Sequence, residues 1–228
     1  EILKIAASLE SASEHPIAKA VVEAGKKEKI KLEKISKFKI LRGRGVEAFI
    51  KSRKVVIGNR KLMEQERINI SKIDKKMQEL ENQGKTVMCV AVNKKIFGII
   101  AVADTLKEDS KEAISELKEL GFKTIMITGD NERTAKAIAK LIGINDILAD
   151  VLPEEKVEKV KELQKNGMVA FVGDGINDAP ALKQANVGIA MGTGTDIAIE
   201  SGDIILARGN LIGVVQAISL SKATFKKI

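Results

Sequence analysis

The 228-residue sequence contains no tryptophan, no tyrosine, one histidine and one cysteine. A single cysteine, Cys89, excludes an internal disulfide framework and fits a reducing, cytoplasmic setting. No apolar run approaches the roughly 18–20 residues that a membrane-spanning helix needs. The first residues, Glu-Ile-Leu-Lys, lack the pattern of a secretory signal. We therefore expect neither a membrane span nor a disulfide-stabilised secreted domain within these residues.

The charge is unevenly divided along the chain. Residues 1–103 carry 23 Lys and Arg against 12 Asp and Glu, a net charge of +11, whereas residues 104–228 carry 16 against 19, a net charge of −3. A basic half suits a polyanionic ligand, and an acidic half suits a divalent cation. Nucleic acid is the alternative partner of a basic half. Because Tyr and Trp are absent, no aromatic platform exists for stacking bases, and the lysines are scattered along predicted helices. We expect no nucleic-acid partner.

The first hundred residues mix helical and strand patterns. Apolar residues recur at helical spacing over residues 2–24, with a break at His15-Pro16, and a second helix is predicted over residues 73–82. Residues 34–57 predict short strands around the Arg42–Gly45 turn, and residues 86–92 and 96–102 predict a hairpin. The pattern predicts an α+β domain with an antiparallel sheet over residues 1–103.

After residue 104, short strands alternate with longer helices. Strands are predicted at 123–127, 147–149, 168–172, 187–190 and 204–206, and helices at 108–120, 132–142, 154–166, 179–185 and from 211 onward. Such alternation predicts βαβ units, and hence an α/β, doubly wound parallel sheet covered on both faces. The second domain is therefore expected over residues 104–228. Ligands of such sheets bind beyond the carboxyl ends of the strands, where two polar clusters of this sequence fall.

The first of these clusters is the glycine-rich turn Gly173–Asp178. Two of its carboxylates, Asp174 and Asp178, lie four residues apart between a predicted strand and a predicted helix. Glycine lets a backbone approach a phosphate closely, and Mg²⁺ needs only one or two carboxylates besides water. The alternative is a turn with solvated acids, because Gly-Asp-Gly also occurs in plain loops. The segment predicts Asp174 and Asp178 as metal ligands.

The second cluster is Thr128-Gly129-Asp130. Its hydroxyl and backbone amides follow a buried strand at the start of a helix, an arrangement that binds anions. The alternative is a simple helix cap by Asp130 or Asn131. Lys156 lies at the start of a later helix, where the helix dipole disfavours a cation. Either Lys156 reaches into a phosphate site, or it is merely solvated.

Taken in order, these three segments resemble the conserved loops of the haloacid dehalogenase superfamily, in which they surround an aspartate nucleophile. The longer strings GDGINDAP at residues 173–180 and MGTGTD at residues 191–196 are similar to the phosphorylation domain of P-type ATPases. This resemblance implies catalytic roles for the following residues: Thr128, Gly129, Asp130, Lys156 and Asn177. It also implies ATP and Mg²⁺ as cofactors.

The first hundred residues narrow the resemblance to the heavy-metal-transporting P-type ATPases. The similar features are Ser13-Glu14-His15-Pro16, the Gly43-Arg44-Gly45 turn and Gly58-Asn59. The resemblance implies a nucleotide-binding domain whose ligand contacts are Glu10, His15, Gly43, Gly45, Gly58 and Asn59. A lone His beside Pro is otherwise a packing or capping residue at a helix end. Cys89 is expected to fill the core, because no His/Cys cluster with metal-ligand spacing is present.

The sequence departs from the family in one respect. The nucleophilic aspartate of these ATPases lies in an Asp-Lys-Thr-Gly-Thr motif, which is absent from the 228 residues. We therefore expect a phosphorylation domain without its first strand, which binds nucleotide but completes no phosphorylation cycle by itself. The residues Asp104-Thr105-Leu106-Lys107 resemble the hinge between the two domains.

The resemblance implies an enzyme that exports a heavy-metal cation at the expense of ATP, through an aspartyl-phosphate intermediate. Residues 200–206 are most similar to the copper-exporting members, so Cu(I) is the expected cargo, bound elsewhere in the parent, with Zn(II) or Cd(II) as the alternative. The implied partners are the membrane and actuator domains of the same parent chain, with this portion on the cytoplasmic face of the membrane. A stand-alone phosphatase and a nucleotide-binding module without turnover remain the rival interpretations.

Overall fold

The computed structural model of the chain describes residues 1–103, 106–173, 178–192 and 196–227. The chain divides into two units, Glu1–Asp104 and Thr105–Ile228. Within the described residues, no helix combines the length and the apolar character needed to cross a bilayer.

The first unit contains four helices and five strands among its described residues. The elements in chain order are α1 (Ile2–Glu10), α2 (Pro16–Lys27), β1 (Ile35–Leu41), β2 (Gly45–Ile50), β3 (Arg53–Gly58), α3 (Arg60–Gln65), α4 (Ser71–Glu81), β4 (Lys85–Val92) and β5 (Lys95–Ala103). The strands form one antiparallel sheet in the order β1-β2-β3-β4-β5. The antiparallel sheet is as predicted, whereas the short helix α3 was not predicted.

The sheet is covered on both faces, because its strands alternate between two apolar clusters. In β3, Val55 and Ile57 pack with α1 and α2 on one face, while Val56 packs with α3 and α4 on the other. This alternation is the two-residue period of a strand. Cys89 belongs to the second cluster and is completely buried, with its Sγ 3.4 Å from Sδ of Met77. Burial raises the pKa of this thiol to about 11, so the prediction of a core cysteine is confirmed.

The second unit alternates helices with short strands. The described elements are α5 (Ser110–Glu119), β6 (Ile125–Ile127), α6 (Glu132–Ile142), β7 (Asp146–Leu148), α7 (Glu155–Gln164), β8 (Ala170–Gly173), α8 (Ala179–Gln184), β9 (Val187–Met191), α9 (Asp196–Ser201), β10 (Ile204–Leu206) and α10 (Ile212–Phe225). All described strand pairs of this unit are parallel, as predicted. The six-residue helix α9 was not predicted.

The parallel strands form two sheets instead of the single predicted sheet. One sheet has the order β10-β9-β8 and the other pairs β6 with β7. No described strand lies between β6 and β8, so each of them keeps an edge that is unpaired within the described residues.

The segment that enters α5 is tied to the start of α10. Lys107 donates a hydrogen bond to the carbonyl of Gly209, and Asp109 Oδ2 accepts one from the Ile212 amide at 2.8 Å. Asp109 precedes α5, but its carboxylate makes no cap bond to that helix and instead caps α10. The end of the predicted hinge is thus anchored to the last helix, while Asp104 and Thr105 lie outside the described residues.

Candidate functional site

In the second unit, the loops after β6 and β7 are joined by backbone hydrogen bonds. The Val151 amide donates to the Thr128 carbonyl at 3.1 Å, and the Asp150 amide donates to the Asp130 carbonyl at 2.8 Å. Thr128 Oγ1 accepts from the Asp130 amide and donates to Asp130 Oδ2, both at 3.1 Å. Thr128 and Asp130 are therefore held as one polar group at the carboxyl end of the parallel strand pair.

The N-cap of α6 is Asn131 and not Asp130. Asn131 Oδ1 accepts hydrogen bonds from the amides of Arg133 and Thr134, both at 3.1 Å. A cap of this kind satisfies two of the amides that the first helical turn leaves without a partner. Because Asn131 performs this role, the Asp130 carboxylate is not required to cap the start of α6.

Lys156 and Asp178 form an ion pair. Lys156 Nζ lies 2.6 Å from Asp178 Oδ1, and both side chains are largely buried. Lys156 belongs to the first turn of α7, where two glutamates, Glu155 and Glu158, also lie. The structure therefore brings together a residue predicted to hold phosphoryl oxygens and a residue predicted to bind metal.

Asp174 and Asn177, the remaining predicted residues of this turn, lie outside the described residues. Gly173 just before them is packed tightly, because a Cβ there would lie 2.8 Å from Cβ of Asp178. Within the described residues, no three His, Cys, Asp or Glu side chains gather to hold a metal ion. A carboxylate at Asp178 nevertheless fits Mg²⁺, which takes one or two carboxylates and completes its shell with water and phosphate oxygens.

In the first unit, Glu10 is the last residue of α1 and is only 6% exposed. No described group donates a hydrogen bond or forms an ion pair with its carboxylate. Burial raises the pKa of this carboxyl to about 7, because an ionised carboxylate is costly away from water. Near neutral pH, a substantial fraction of Glu10 is therefore protonated, and in that form the carboxyl both donates and accepts hydrogen bonds.

His15 is the N-cap of α2. Its Nδ1 accepts a hydrogen bond from the Ile17 amide at 3.3 Å, and Pro16 occupies the first helical position. In the neutral imidazole this bond places the ring proton on Nε2. The capping role that the sequence left open is thus present, and the ring is exposed, so its Nε2–H can meet a ligand.

Gly45 and Gly58 face each other as a register pair of β2 and β3. A Cβ on Gly45 would collide with the carbonyl oxygen of Ile57, and one on Gly58 would collide with that of Arg44. Gly45 also has a φ of +145°, which side-chain-bearing residues rarely adopt. Both glycines are therefore required by the backbone of the sheet itself, independently of any ligand.

Helix α1 packs against β2 in the first apolar cluster. Ile5 of α1 and Ile50 of β2 line one cavity of about 450 Å³. The cavity itself contains none of the predicted site residues.

The family comparison matches residues 1–186 to a model described as haloacid dehalogenase-like hydrolase, and residues 155–218 to a second model of the same description. Among curated proteins, the chain is 47% identical over its whole length to a copper-exporting P-type ATPase of Bacillus subtilis and 48% identical to that of Staphylococcus haemolyticus. It spans only 29% of the length of each of these relatives.

Two solved structures are also similar. A zinc-transporting PIB-type ATPase in the E2.Pi state matches 99% of this chain with 41% identity and a TM-score of 0.65, over 36% of its own length. The catalytic domain of the CPx-ATPase CopB-B, solved in a study of its conformational changes upon nucleotide binding, matches 95% of this chain with 31% identity and a TM-score of 0.70. In that case the chain covers 77% of the solved domain.

The close approach of β2 and β3 predicts that Gly45→Ala lowers the free energy of unfolding by about 3 kcal/mol or more, because the new methyl group meets backbone and the φ angle is unfavourable. Urea unfolding followed by far-UV circular dichroism measures it. The control is Gly98→Ala, whose added methyl group meets only the flexible side chain of Ile2. Equal stability losses in the two variants would contradict the backbone explanation.

The burial of Glu10 predicts a pH-dependent stability. The folded-state pKa of about 7 lies above the ordinary value of 4.5, so the folded state binds more protons between these values and stability falls as pH rises through that window. Relative to Glu10→Gln, the wild-type chain should lose about 2–3 kcal/mol between pH 5 and pH 8. Urea unfolding at both pH values measures the difference.

Glu33 is a second carboxyl of the same unit whose pKa is shifted, but its effect on stability falls in a different pH range from that of Glu10. Hydrogen bonds from Lys4 and Lys51 lower the pKa of its carboxyl to about 2, so its contribution is lost only as pH falls below about 4.5. A wild-type chain whose stability tracks that of Glu10→Gln from pH 5 to pH 8 would show that the carboxyl of Glu10 is ionised at neutral pH in the folded state.

Proposed function

Since the chain belongs to the haloacid dehalogenase-like hydrolases and, within them, to the catalytic domains of heavy-metal-transporting P-type ATPases, we propose that it is the ATP-binding and phosphoryl-transfer portion of a membrane pump that exports Cu(I). The parent chain supplies the membrane-spanning and actuator domains. In this proposal the first unit binds ATP, and the second unit supplies the groups around the γ-phosphoryl group as it passes to an aspartate of the parent chain, on the cytoplasmic side of the membrane.

The observation that carries the proposal is Glu10, a buried carboxyl that no described group pairs. Burial disfavours the ionised form of this carboxyl, and a ligand that hydrogen-bonds to its protonated form replaces the lost contacts with water. Adenine offers an amino group and ring nitrogens that match the donor and acceptor of a protonated carboxyl. The Nε2–H of His15, five residues beyond the end of α1, adds a second donor for the same purine.

The glycine turn after β1 complements these side chains. Gly43 has a φ of 66° and an exposed backbone, and the absence of a side chain allows close approach of a nucleotide. The unit also has the basic balance that four phosphate charges favour. ATP, with its purine and its polyanionic tail, fits both features better than a nucleoside or an inorganic anion does.

In the second unit, Thr128, Gly129, Asp130, Lys156 and Asn177 surround the reacting phosphoryl group in this proposal. The ammonium group of Lys156 and the hydroxyl and amides around Thr128 hold phosphoryl oxygens. Asp174 and Asp178 would hold Mg²⁺, which supplies positive charge against the phosphate when it is bound. Phosphoryl transfer depends mainly on such positioning and charge stabilisation.

The nucleophile belongs to another part of the parent chain. No Asp-Lys-Thr-Gly-Thr motif occurs in the 228 residues, and β6 and β8 each keep an edge that is unpaired by the described strands. We infer that a parent strand carrying this motif pairs with these edges, which places its aspartate at the carboxyl ends of β6 and β8. Binding, and not turnover, is consequently the activity to measure on this chain alone.

The cation is proposed from the relatives alone. The full-length matches at 47% and 48% identity are copper-exporting, whereas the solved zinc-transporting ATPase is 41% identical. Cu(I) prefers soft thiolate and thioether ligands, and the single cysteine of this chain is buried with a raised pKa. The transported ion is therefore expected to bind in the membrane domain of the parent.

The nucleotide proposal predicts that His15→Ala weakens ATP binding by more than tenfold, a loss of about 1.4 kcal/mol or more. Isothermal titration of the 228-residue chain with ATP measures the affinity. The matched control is His15→Asn, because asparagine is a good N-cap and can still accept from the Ile17 amide but has no imidazole ring.

The two His15 variants separate capping from recognition. Weak binding by both, with unchanged thermal unfolding of His15→Asn, supports contact between the imidazole and the nucleotide. If His15→Asn binds ATP as tightly as the wild type, the imidazole does not contact the nucleotide and His15 acts only as a helix cap. A wild-type chain that binds inorganic phosphate as well as it binds ATP would favour the phosphatase interpretation.

The cation proposal predicts that the ATPase activity of the full-length parent is stimulated several-fold by Cu(I) under reducing conditions. Zn(II) at the same free concentration is the comparison. Stimulation by Zn(II) without stimulation by Cu(I) would overturn the copper assignment and leave the pump assignment standing.

A further inference from the structure

Asn59 lies between β3 and α3, and both ends of its carboxamide already bind protein atoms. Its Oδ1 accepts a hydrogen bond from the Leu62 amide at 3.1 Å, which caps α3. Its Nδ2 donates to the carbonyl of Gly43 at 2.9 Å. Its backbone amide donates to the carbonyl of Arg44, also at 2.9 Å. One residue therefore fastens the start of α3 to the glycine turn.

The other end of α3 holds the same turn. The Arg44 guanidinium donates a hydrogen bond to Oε1 of Gln65, the last residue of α3. The turn itself is closed by the Arg44 amide, which donates to the Leu41 carbonyl at 2.9 Å. Helix α3 thus contacts the turn at both of its ends, through Asn59 and Gln65.

We propose that Asn59 is a positioning residue, which holds the Gly43–Gly45 turn in the conformation that receives the nucleotide. This inference rests on the proposed ATP site. Its basis is that one carboxamide binds the turn through Nδ2 and caps α3 through Oδ1. A turn with φ values of 66° and +145° at Gly43 and Gly45 has wide conformational freedom without such bonds. The hydrogen bonds of Asn59 therefore reduce the conformational entropy that the turn loses when the nucleotide binds.

The choice of asparagine follows from these two bonds. Aspartate and serine are equally good N-caps, but neither has the Nδ2–H donor that reaches Gly43. Aspartate would in addition place a negative oxygen against the Gly43 carbonyl. Asn59→Asp and Asn59→Ser therefore keep the cap of α3 and remove the hydrogen bond to Gly43, which separates capping from positioning of the turn.

The test measures amide hydrogen exchange of Arg44 by NMR in the nucleotide-free chain, together with ATP affinity and thermal unfolding. For Asn59→Ser and Asn59→Asp we expect exchange of the Arg44 amide to accelerate at least fivefold and ATP affinity to fall about tenfold, with the unfolding temperature within a few degrees of the wild type. The control for added charge is Asn69→Asp, which changes an exposed helix-start asparagine of the same unit whose Oδ1 accepts from Ser71. This control should leave both readouts unchanged.

A double-mutant cycle with Gln65→Ala adds a second criterion. If Asn59 and Gln65 both act by holding the turn, their effects on ATP affinity should be smaller together than the sum of the two. If the two substitutions lower the free energy of ATP binding by fully additive amounts, Asn59 and Gln65 do not share a positioning role.

Three outcomes would overturn the inference. Lost affinity with unchanged Arg44 exchange would mean that Asn59 contacts the nucleotide directly. Accelerated exchange with unchanged affinity would mean that the turn is not part of the binding site. If neither exchange nor affinity changes, Asn59 does not hold the turn. A wild-type chain that binds no ATP would instead refute the proposed function, while Arg44 exchange would still decide whether Asn59 holds the turn.

Discussion

The candidate nucleotide site depends on the close approach of β2 and β3 at Gly45 and Gly58. The two backbones pass so near each other that a Cβ on Gly45 would collide with the Ile57 carbonyl of β3, and one on Gly58 with the carbonyl of Arg44 just before β2. Asn59 follows Gly58 directly, so the strand pair also fixes where α3 begins. The turn before Gly45 is then within reach of that helix. A single backbone constraint thereby positions the turn, the cap and the helix.

Ion pairs compensate buried charge in both units, and in the first unit the almost completely buried Glu81 pairs with Arg60. In the second unit, the Asp178 carboxylate is neutralised by Lys156 at 2.6 Å. In the first unit, Glu10 is buried with no described partner, and protonation replaces ion pairing as its means of avoiding an isolated charge. Local conflicts of this kind are tolerated mainly where function requires them. A bound ligand therefore readily explains why the first unit buries the carboxyl of Glu10 without a described partner.

Sequence patterns predicted the antiparallel sheet, the parallel strand pairs and the break at His15-Pro16, because two-residue and 3.6-residue periodicities depend on local burial alone. They did not predict α3 and α9, whose six residues each give only a weak helical period, although the equally short α8 was predicted. The pattern left Asp130 and Asn131 as equal candidates for the α6 cap, since both residue types cap well. The role of Gly45 and Gly58 was assigned to ligand approach, because a cross-strand collision can be seen only when the register is known.

The ion pair of Lys156 and Asp178 has a consequence for the order of binding, if Lys156 holds phosphoryl oxygens and Asp178 holds a divalent cation as proposed. Each charge is compensated by the other while the site has no ligand, and both side chains are largely buried. An anion alone would draw Lys156 away and leave the carboxylate without its ammonium partner, which is costly in a partly buried site. A cation alone would displace Lys156 with the same penalty. A phosphate that arrives together with its cation supplies a new partner to each residue at once, so the pair favours the metal-bound form of the phosphoryl donor over either component alone.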